Sequence, residues 1–357
     1  MKTIRRYLAV EIIMATALVF AALVMLFAFF DLVEQIKDLG RGAYNMRLII
    51  IYVLLSMPDR VYELFPIAVL IGTLFALAQL VAGSEYTVMR TSGVSTARFT
   101  AMLVMIGMAF SALAFVFGEF IAPPAQQLAQ RIRSQAITGL VAQEFRSGLW
   151  IKDDKSFINI IEVRPDATLR GVRIYEFDAQ YQLRAISHAR YGSHQSDRRW
   201  LLQEISQTRF EELKTTVHEI EQASWQSVID PGLLNVLLVK PEQMSAWRLY
   251  SFAQHLKENR QKALRYEIAL WGKLITPLTV LVMMIIALPF AHIQGRQAGV
   301  GAKLFAGIML GIAFHFLNRL CSHLGLLNDW PAFASAIMPT VVFLTVATTM
   351  IWWQERR

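Results

Sequence analysis

The sequence predicts a polytopic α-helical membrane protein with six transmembrane helices and one inserted all-β jelly-roll domain. Three long apolar runs come first, a polar segment follows, and three more apolar runs occupy the remainder of the 357 residues. A helix needs roughly 20 apolar residues to cross a bilayer, and each run supplies about that number. Only 17% of the residues are charged, compared with about 25% in soluble domains. The six runs cover, in order, residues 8–30, 61–81, 99–122, 268–290, 304–320 and 333–353.

Prolines set two of the predicted helix boundaries. Pro58 and Pro66 stand at the start of the second run, and Pro123 and Pro124 follow the third. Proline lacks a backbone N–H and restricts the residue before it, so it favours helix ends over helix interiors. We therefore expect the second helix to begin near residue 61 and the third helix to stop before Pro123.

The polar middle of the chain, about residues 131–260, has the patterning of strands. β-branched, aromatic and polar residues alternate there near a period of two, and turn residues such as Pro165 and Asp166 separate the segments. Many short strands at this spacing predict an antiparallel sandwich or jelly roll. Pro231 and Gly232 end the strand region, and an amphipathic helix then leads to the fourth run. The predicted strands are residues 156–163, 171–177, 183–190, 200–204 and 215–222.

These patterns divide the chain into three parts. Residues 1–130 hold membrane helices 1–3, residues 131–244 the β-domain, and residues 245–357 a connecting helix with membrane helices 4–6. Short cytoplasmic segments of membrane proteins are rich in Lys and Arg. This rule predicts that both termini are cytoplasmic and that the β-domain lies on the opposite side. The basic residues used are Lys2, Arg5, Arg6, Arg90, Arg98, Arg296, Lys303, Arg356 and Arg357.

Several classes of function lack their sequence signatures. The net charge is +8, but the sequence has no basic and aromatic module typical of nucleic-acid binding. The single cysteine, Cys321, allows no internal disulfide and no CxxC site. The segment Gly299–Lys303 lacks the spacing of a phosphate-binding loop, so we expect no ATP hydrolysis by this chain itself. His292, His315 and His323 lack zinc-site spacing, and we predict no metal and no cofactor.

Longer motifs in the chain indicate a family. Residues 56–77 read SMPDRVYELFPIAVLIGTLFAL, residues 84–95 read SEYTVMRTSGVS, and residues 118–136 read GEFIAPPAQQLAQRIRSQA. These segments resemble the LptF/LptG permeases that export lipopolysaccharide. Two further segments look more like the LptG branch than the LptF branch: EQIKDLGRGAY at 34–44 and ALRYEIALWGKLITPLTVLVMMIIALPF at 263–290. The resemblance covers essentially the whole chain.

The resemblance implies an architecture, a set of partners and a role. Members of this family have six transmembrane helices and a periplasmic β-jelly roll. One LptF and one LptG pair in the inner membrane around a cavity that holds lipopolysaccharide. Two copies of the cytoplasmic ATPase LptB drive them, and a helix of LptC joins the complex. The chain is then a multi-pass, non-catalytic subunit that passes lipid A from the outer leaflet to a periplasmic bridge of jelly rolls.

The short polar segment at residues 83–97 is the candidate site of ATPase coupling. Ser84 is suited to cap a helix, and Glu85 falls in the first turn of that helix, where a carboxylate interacts well with the helix dipole. The helical spacing places Glu85, Val88, Met89 and Ser92 on one face. This pattern alone fits either a helix that docks in a partner's groove or a solvated turn. The resemblance implies a coupling helix that docks into LptB through its acidic residue.

Basic residues near the outer ends of the membrane helices are the candidate lipid-phosphate ligands. Lys37 and Arg41 follow the first run one helical turn apart, Arg133 follows the third, and Arg319 lies near the outer end of the fifth. Their positions alone fit phosphate binding, snorkelling to the interface or, for Arg319, an interhelical ion pair. The resemblance matches Lys37 and Arg133 to basic positions of the family. Asp31 and Asp38 depart from the family, since related sequences can carry lysines there. How many phosphates bind is therefore open, and Arg41 is the candidate replacement.

Phe27, Phe30, Leu70 and Leu74 are candidate contacts for acyl chains in the cavity, although such residues also face lipid or neighbouring helices. Glu119 lies inside the third run, where a polar residue either serves function or makes an interhelical hydrogen bond.

A rival class of function also stays open from the residues alone, namely a membrane-embedded lipid-modifying enzyme or an assembly scaffold. Dependence on ATP and on a partner ATPase separates that class from a transporter.

Overall fold

The structure is a computed structural model, and it contains a bundle of long helices and one β-sheet. Among the residues named above, Pro165, Asp166, Pro231, Gly232, Arg296, Gly299 and Arg357 lie outside the described ranges. The structure describes residues 2–137, 149–153, 156–163, 168–178, 180, 182–196, 199–211, 214–226, 241–258, 261–293 and 300–356.

Six helical segments of the described chain are long and apolar enough to cross a membrane, which confirms the predicted number of spans. Two further helices are a short one before the third span and one that leads from the β-domain to the fourth. A π-helical turn, Phe117–Ile121, joins α4 to α5. The helices are α1 Lys2–Ile36, α2 Met46–Ala82, α3 Glu85–Thr91, α4 Thr96–Val116, α5 Ala122–Ala136, α6 Ala246–Glu258, α7 Leu264–Ile293, α8 Val300–Leu327 and α9 Ala332–Arg356.

The predicted start of the second helix is wrong. Helix α2 begins at Met46, where the Asn45 side chain accepts a hydrogen bond from the Leu48 N–H, and it continues through Pro58 and Pro66. Membrane helices tolerate internal proline because neighbouring helices and local adjustments satisfy the freed backbone groups. Much of the stretch between the first two predicted runs, residues 31–60, is therefore an extension of α1 and α2.

The predicted end of the third helix is also wrong. The helix passes through the π turn and continues as α5 to Ala136, with Pro123 and Pro124 in the first turn of α5. Proline is well tolerated in a first helical turn, where its missing N–H has no partner to lose. Glu119 and Arg133 therefore lie on one continuous helical segment, the third span.

Helix α2 lies at the centre of the membrane bundle and packs against α1, α5, α7 and α8. Its buried residues Phe65, Val69 and Leu77 belong to one core cluster with Met283 and Met284 of α7. By contrast, α1 and α8 expose large apolar side chains along their length, as membrane-spanning helices at a bundle surface do. The exposed residues include Met14, Leu18, Phe29 and Phe30 of α1 and Phe305, Ile312 and Phe316 of α8.

The described strands form one antiparallel sheet in which every strand pairs with the next strand in the sequence. Its buried face contains Ile158, Val172, Ala189 and Trp200. The sheet confirms an inserted β-domain, and the two-sheeted jelly roll stays a prediction. The strands are β1 Leu149–Asp153, β2 Ser156–Val163, β3 Leu169–Phe177, β4 Leu183–Ser196, β5 Arg199–Glu211 and β6 Lys214–Gln226.

Candidate functional site

Helix α3 is a separate seven-residue helix between α2 and α4. Gly93, with a φ of 92°, and Ser95, which caps α4, divide the predicted 83–97 segment into two elements. Glu85 lies in the first turn of α3, as predicted. Ser84, however, has a left-handed backbone (φ 63°) and makes no side-chain cap to the helix, so the predicted cap is wrong.

The predicted face of the coupling helix is divided in the structure. Glu85, Val88 and Ser92 are exposed, and Val88 has 61% of its surface accessible. Met89 instead packs against the core of the membrane bundle. The exposed surface therefore combines a carboxylate with an apolar side chain, while Met89 packs the helix against the bundle.

Tyr7 is a neighbour of Glu85 that the sequence reasoning missed. Its hydroxyl donates to Glu85 Oε2 over 2.9 Å, which ties α1 to α3. The two residues are 78 positions apart, and no local pattern in the sequence links them.

Asp38 joins two of the predicted phosphate ligands at the outer end of the bundle. Its carboxylate accepts from Arg41 at 2.6 Å and from Arg133 at 2.7 Å. The Arg133 guanidinium also lies 5.8 Å from the centre of the Tyr52 ring. Charge-assisted hydrogen bonds of this length are strong ones, so both arginines are already partnered within the chain.

The loop that carries Lys37 and Arg41 is fixed to the bundle through Tyr44. The Tyr44 hydroxyl donates to Gln35 Oε1 at 3.2 Å, and its carbonyl accepts from the Gly40 N–H at 3.0 Å. Burial raises the pKa of Tyr44 to about 12, with the Arg133 charge acting in the opposite direction. Tyr44 is therefore neutral at physiological pH and remains a hydrogen-bond donor.

Arg60 is a second arginine at this end of the bundle, and the sequence reasoning missed it. It donates to both Asp31 oxygens, at 2.6 and 2.9 Å, and to Glu63 at 2.9 Å. The guanidinium lies 5.9 Å from the centre of the Phe27 ring. The available signal was a charged residue at the edge of the second apolar run, because a charge in a membrane helix needs a partner.

Lys37 and Arg319 are the two predicted ligands that stay exposed without an ion pair to another described residue. They differ in this way from Arg41 and Arg133. We name the set Lys37, Arg41, Arg133 and Arg319 the basic rim. Within the described ranges, no three His, Cys, Asp or Glu side chains group closely enough to hold a metal ion.

The structure corrects half of the predicted acyl contacts. Leu70 and Leu74 are fully buried inside the helix bundle, so they do not line an open cavity as predicted. They lie on the side of α2 that packs against other helices, and sequence alone does not separate this side from a lipid-facing one. Phe30 is 55% exposed and Phe27 is half-buried, so these two remain accessible to an acyl chain.

Comparisons with known proteins identify the family. Residues 6–353 match the family model described as lipopolysaccharide export system permease LptF/LptG. The chain is 29% identical over 354 residues to the lipopolysaccharide export system permease protein LptG of Haemophilus influenzae, covering 98% of this chain and 97% of that protein. It is also 29% identical over 348 residues to LptG of Escherichia coli K12, covering 97% of each.

These matches favour an export permease over the alternative of a lipid-modifying enzyme or scaffold. The family match spans all six membrane helices and the β-domain between them. The chain is therefore a multi-pass membrane protein that belongs to the LptF/LptG family, the permeases of the lipopolysaccharide export system.

Proposed function

We propose that this chain is the LptG-type permease subunit that takes lipopolysaccharide from the inner membrane and passes it to a periplasmic β-jelly-roll bridge. A separate cytoplasmic ATPase drives the cycle. The observation that carries the proposal is the position of two features at opposite ends of α1. Tyr7 contacts Glu85 of the coupling helix, and Asp31 contacts Arg60 near the basic rim. Tyr7 and Asp31 lie roughly 36 Å apart along the helix, which is the thickness of a membrane.

The charge distribution supports one orientation of the chain. Arg5, Arg6, Arg90 and Arg98 lie at the end that carries Glu85, and Lys and Arg favour the cytoplasmic side. The β-domain leaves the bundle after α5, whose Ala136 carbonyl accepts from the Ala43 N–H beside the basic rim. We therefore place both termini in the cytoplasm and the β-domain in the periplasm.

The proposed partners are one LptF subunit, two copies of the LptB ATPase and LptC, with lipopolysaccharide and membrane lipid as ligands. The apolar residues exposed on α1 and α8 support a second membrane subunit or lipid beside these helices. The exposed Glu85 and Val88 offer the ATPase a charged and an apolar contact on one short helix. Nucleic acid has no part in this function.

Lipopolysaccharide carries phosphates and acyl chains, and the outer end of the bundle offers contacts for both. Lys37 and Arg319 are placed to meet phosphates first, because each is exposed and makes no ion pair to another described residue. Arg41 or Arg133 can join them when Asp38 releases that arginine. Phe27 and Phe30 lie on the neighbouring surface of α1 and offer apolar contact.

The coupling function is tested by the substitution Glu85→Ala in the complex purified with its ATPase. We expect ATP-driven release of lipopolysaccharide to fall by about tenfold or more, since a charged hydrogen bond at an interface is worth about 1.5–3 kcal/mol. Thr87→Ala, at an exposed position on the same helix, is the matched control and should export normally. Normal export by the Glu85→Ala variant would contradict the coupling assignment.

A further inference from the structure

The chain returns from the β-domain to the membrane through a cluster of polar contacts. The short helical turn Pro241–Gln243 precedes Met244, Ser245 and the start of α6. We call residues 243–247 the return segment. Side chains from three separate membrane spans hold this segment, and none of them belongs to the basic rim or the coupling helix.

Glu119 makes the central contact, and it comes from the π turn of the third span. Its Oε2 accepts from the Ala246 N–H at 2.7 Å and its Oε1 accepts from the Trp247 N–H at 3.4 Å. The first N–H groups of a helix have no partner within the helix, and a carboxylate at that end is favoured by the helix dipole. This contact confirms that Glu119 makes a hydrogen bond, here to the start of α6.

Two further spans hold the same segment. Asp59 of α2 accepts from Gln243 Nε2 at 3.2 Å. Lys273 of α7 donates to the Met244 carbonyl, and its ammonium lies 5.6 Å from the centre of the Tyr62 ring. Ionisable side chains within membrane spans are costly and need such partners. Helix α2, helix α7 and the π turn therefore each make a hydrogen bond to the return segment.

The helices around this cluster are closely packed. A Cβ at Gly118 of the π turn would lie 2.3 Å from the Tyr62 ring, so only glycine fits there. The Tyr62 hydroxyl donates to Thr276 of α7 at 3.2 Å. A π turn widens a helix locally and is often found at functional positions. In this protein it brings the Glu119 carboxylate to the start of α6.

The segment that follows α6 contacts the β-domain. Leu249 and Phe252 pack α6 onto α7, with the Phe252 and Tyr266 rings 4.5 Å apart. After α6, Gln261 Nε2 donates to the Lys152 carbonyl of β1 at 3.3 Å. The π turn of the third span thus contacts the start of α6, and Gln261, just after α6, contacts the first strand of the sheet.

We propose that Glu119 is a positioning residue of the export cycle, which holds the first turn of α6 to the third span so that movement of the membrane helices moves the β-domain. This inference rests on the proposed function, in which ATP drives the membrane helices. Glu119 then acts after ATP hydrolysis, at the step in which lipid passes from the bundle to the sheet.

The test compares wild type, Glu119→Gln and Glu119→Ala in the complex with its ATPase. Glu258→Ala, at an exposed position near the far end of α6, is the matched control. Three quantities are measured: ATP hydrolysis, hydrogen exchange at the Ala246 and Trp247 amides with and without nucleotide, and photocrosslinking of purified lipopolysaccharide to the buried face of the sheet.

For Glu119→Ala we expect exchange at the two amides to rise about tenfold and lipid arrival at the sheet to fall about tenfold, since a charged hydrogen bond is lost. ATP hydrolysis should stay within about twofold of wild type, because α3 is untouched. Glu119→Gln should recover most of the lipid arrival, because its amide oxygen still accepts a hydrogen bond. A merely structural role would lower ATP hydrolysis and lipid arrival together.

Unchanged exchange and unchanged lipid arrival in Glu119→Ala would overturn the inference, and so would a parallel loss of ATP hydrolysis. Failure of the proposed function is recognised separately, as a wild-type complex that brings no lipid to the sheet when ATP is added. In that case the role of Glu119 is tested by the hydrogen-exchange measurement alone. Nucleotide-dependent exchange at Ala246 and Trp247 that disappears in Glu119→Ala would support it, and nucleotide-independent exchange in wild type would overturn it.

Discussion

Arg133 donates to Asp38 over 2.7 Å, although 95 residues separate them in the chain. The same carboxylate holds Arg41, and only 13% of the Asp38 side chain is accessible. The acid therefore partly neutralises two members of the basic rim. A lipid phosphate that approaches these arginines competes with an anion already in place.

We expect Asp38→Asn to strengthen binding of lipopolysaccharide by roughly three- to tenfold, because the variant frees two guanidinium groups at a partly exposed site. The measurement is the amount of lipopolysaccharide retained by the purified complex across a salt titration. Glu34→Asn, at an exposed acid one turn earlier, is the control for a general change of charge. Equal retention by wild type and Asp38→Asn would show that Asp38 does not compete with the lipid.

The rim cations without an ion pair to another described residue, Lys37 and Arg319, should matter more than the paired ones, Arg41 and Arg133. We expect Lys37→Ala and Arg319→Ala each to weaken lipid binding by about three- to tenfold at low salt, and by less at high salt, where screening is stronger. Lys262→Ala removes a cation whose side chain is 90% exposed, and it should bind lipid like wild type. Loss of binding that is the same at all salt concentrations would argue against a direct phosphate contact.

We expect the ion pair between Arg60 and Asp31 to matter for the stability of the protein, because loss of one partner leaves the other charge buried. Only 9% of the Asp31 side chain is accessible, and removing one partner of a buried pair typically costs about 3–5 kcal/mol. Arg60→Met should therefore lower the thermal unfolding temperature of the protein in detergent by several degrees. The double variant Arg60→Met with Asp31→Asn should recover part of this loss, because no buried charge is left alone. A double variant as unstable as Arg60→Met alone would contradict the pair.

Gly72 fixes the close approach of α1 and α2. A Cβ at this position would lie 2.5 Å from the Thr16 Cα, which is backbone and cannot turn aside. We expect Gly72→Ala to lower stability by about 1–3 kcal/mol, as overpacking does in protein cores. Gly272→Ala is the matched control, since no atom lies within 4 Å of its Cβ position. The thermal unfolding temperature of Gly72→Ala should be clearly lower than that of Gly272→Ala. Equal unfolding temperatures would contradict the close contact of α1 and α2.

Much of the architecture was predictable because membrane thickness and strand alternation leave direct marks in a sequence. The six spans and the β-domain follow from these marks. Pro58 and Pro66 misled the start of the second helix, because rules drawn from soluble helices overstate the cost of proline in a membrane bundle. Pro123 and Pro124 misled the end of the third helix, because they occupy the first turn of α5, where proline is tolerated.

The side-chain pairs of the site were not predictable from local spacing. The bonds from Arg133 to Asp38, from Tyr7 to Glu85 and from Glu119 to the start of α6 all join distant parts of the chain. The burial of Leu70 and Leu74 depends on which helices surround α2, and an apolar residue carries no mark of its neighbour.

The order of the strands has a consequence for how the protein is made. Each described strand pairs with the one before it in the sequence, so the closing of one hairpin prepares the next. Contacts between near neighbours in sequence form quickly, because little chain entropy is lost in closing them. The sheet can therefore assemble strand by strand during biosynthesis, before the last three membrane helices have been translated.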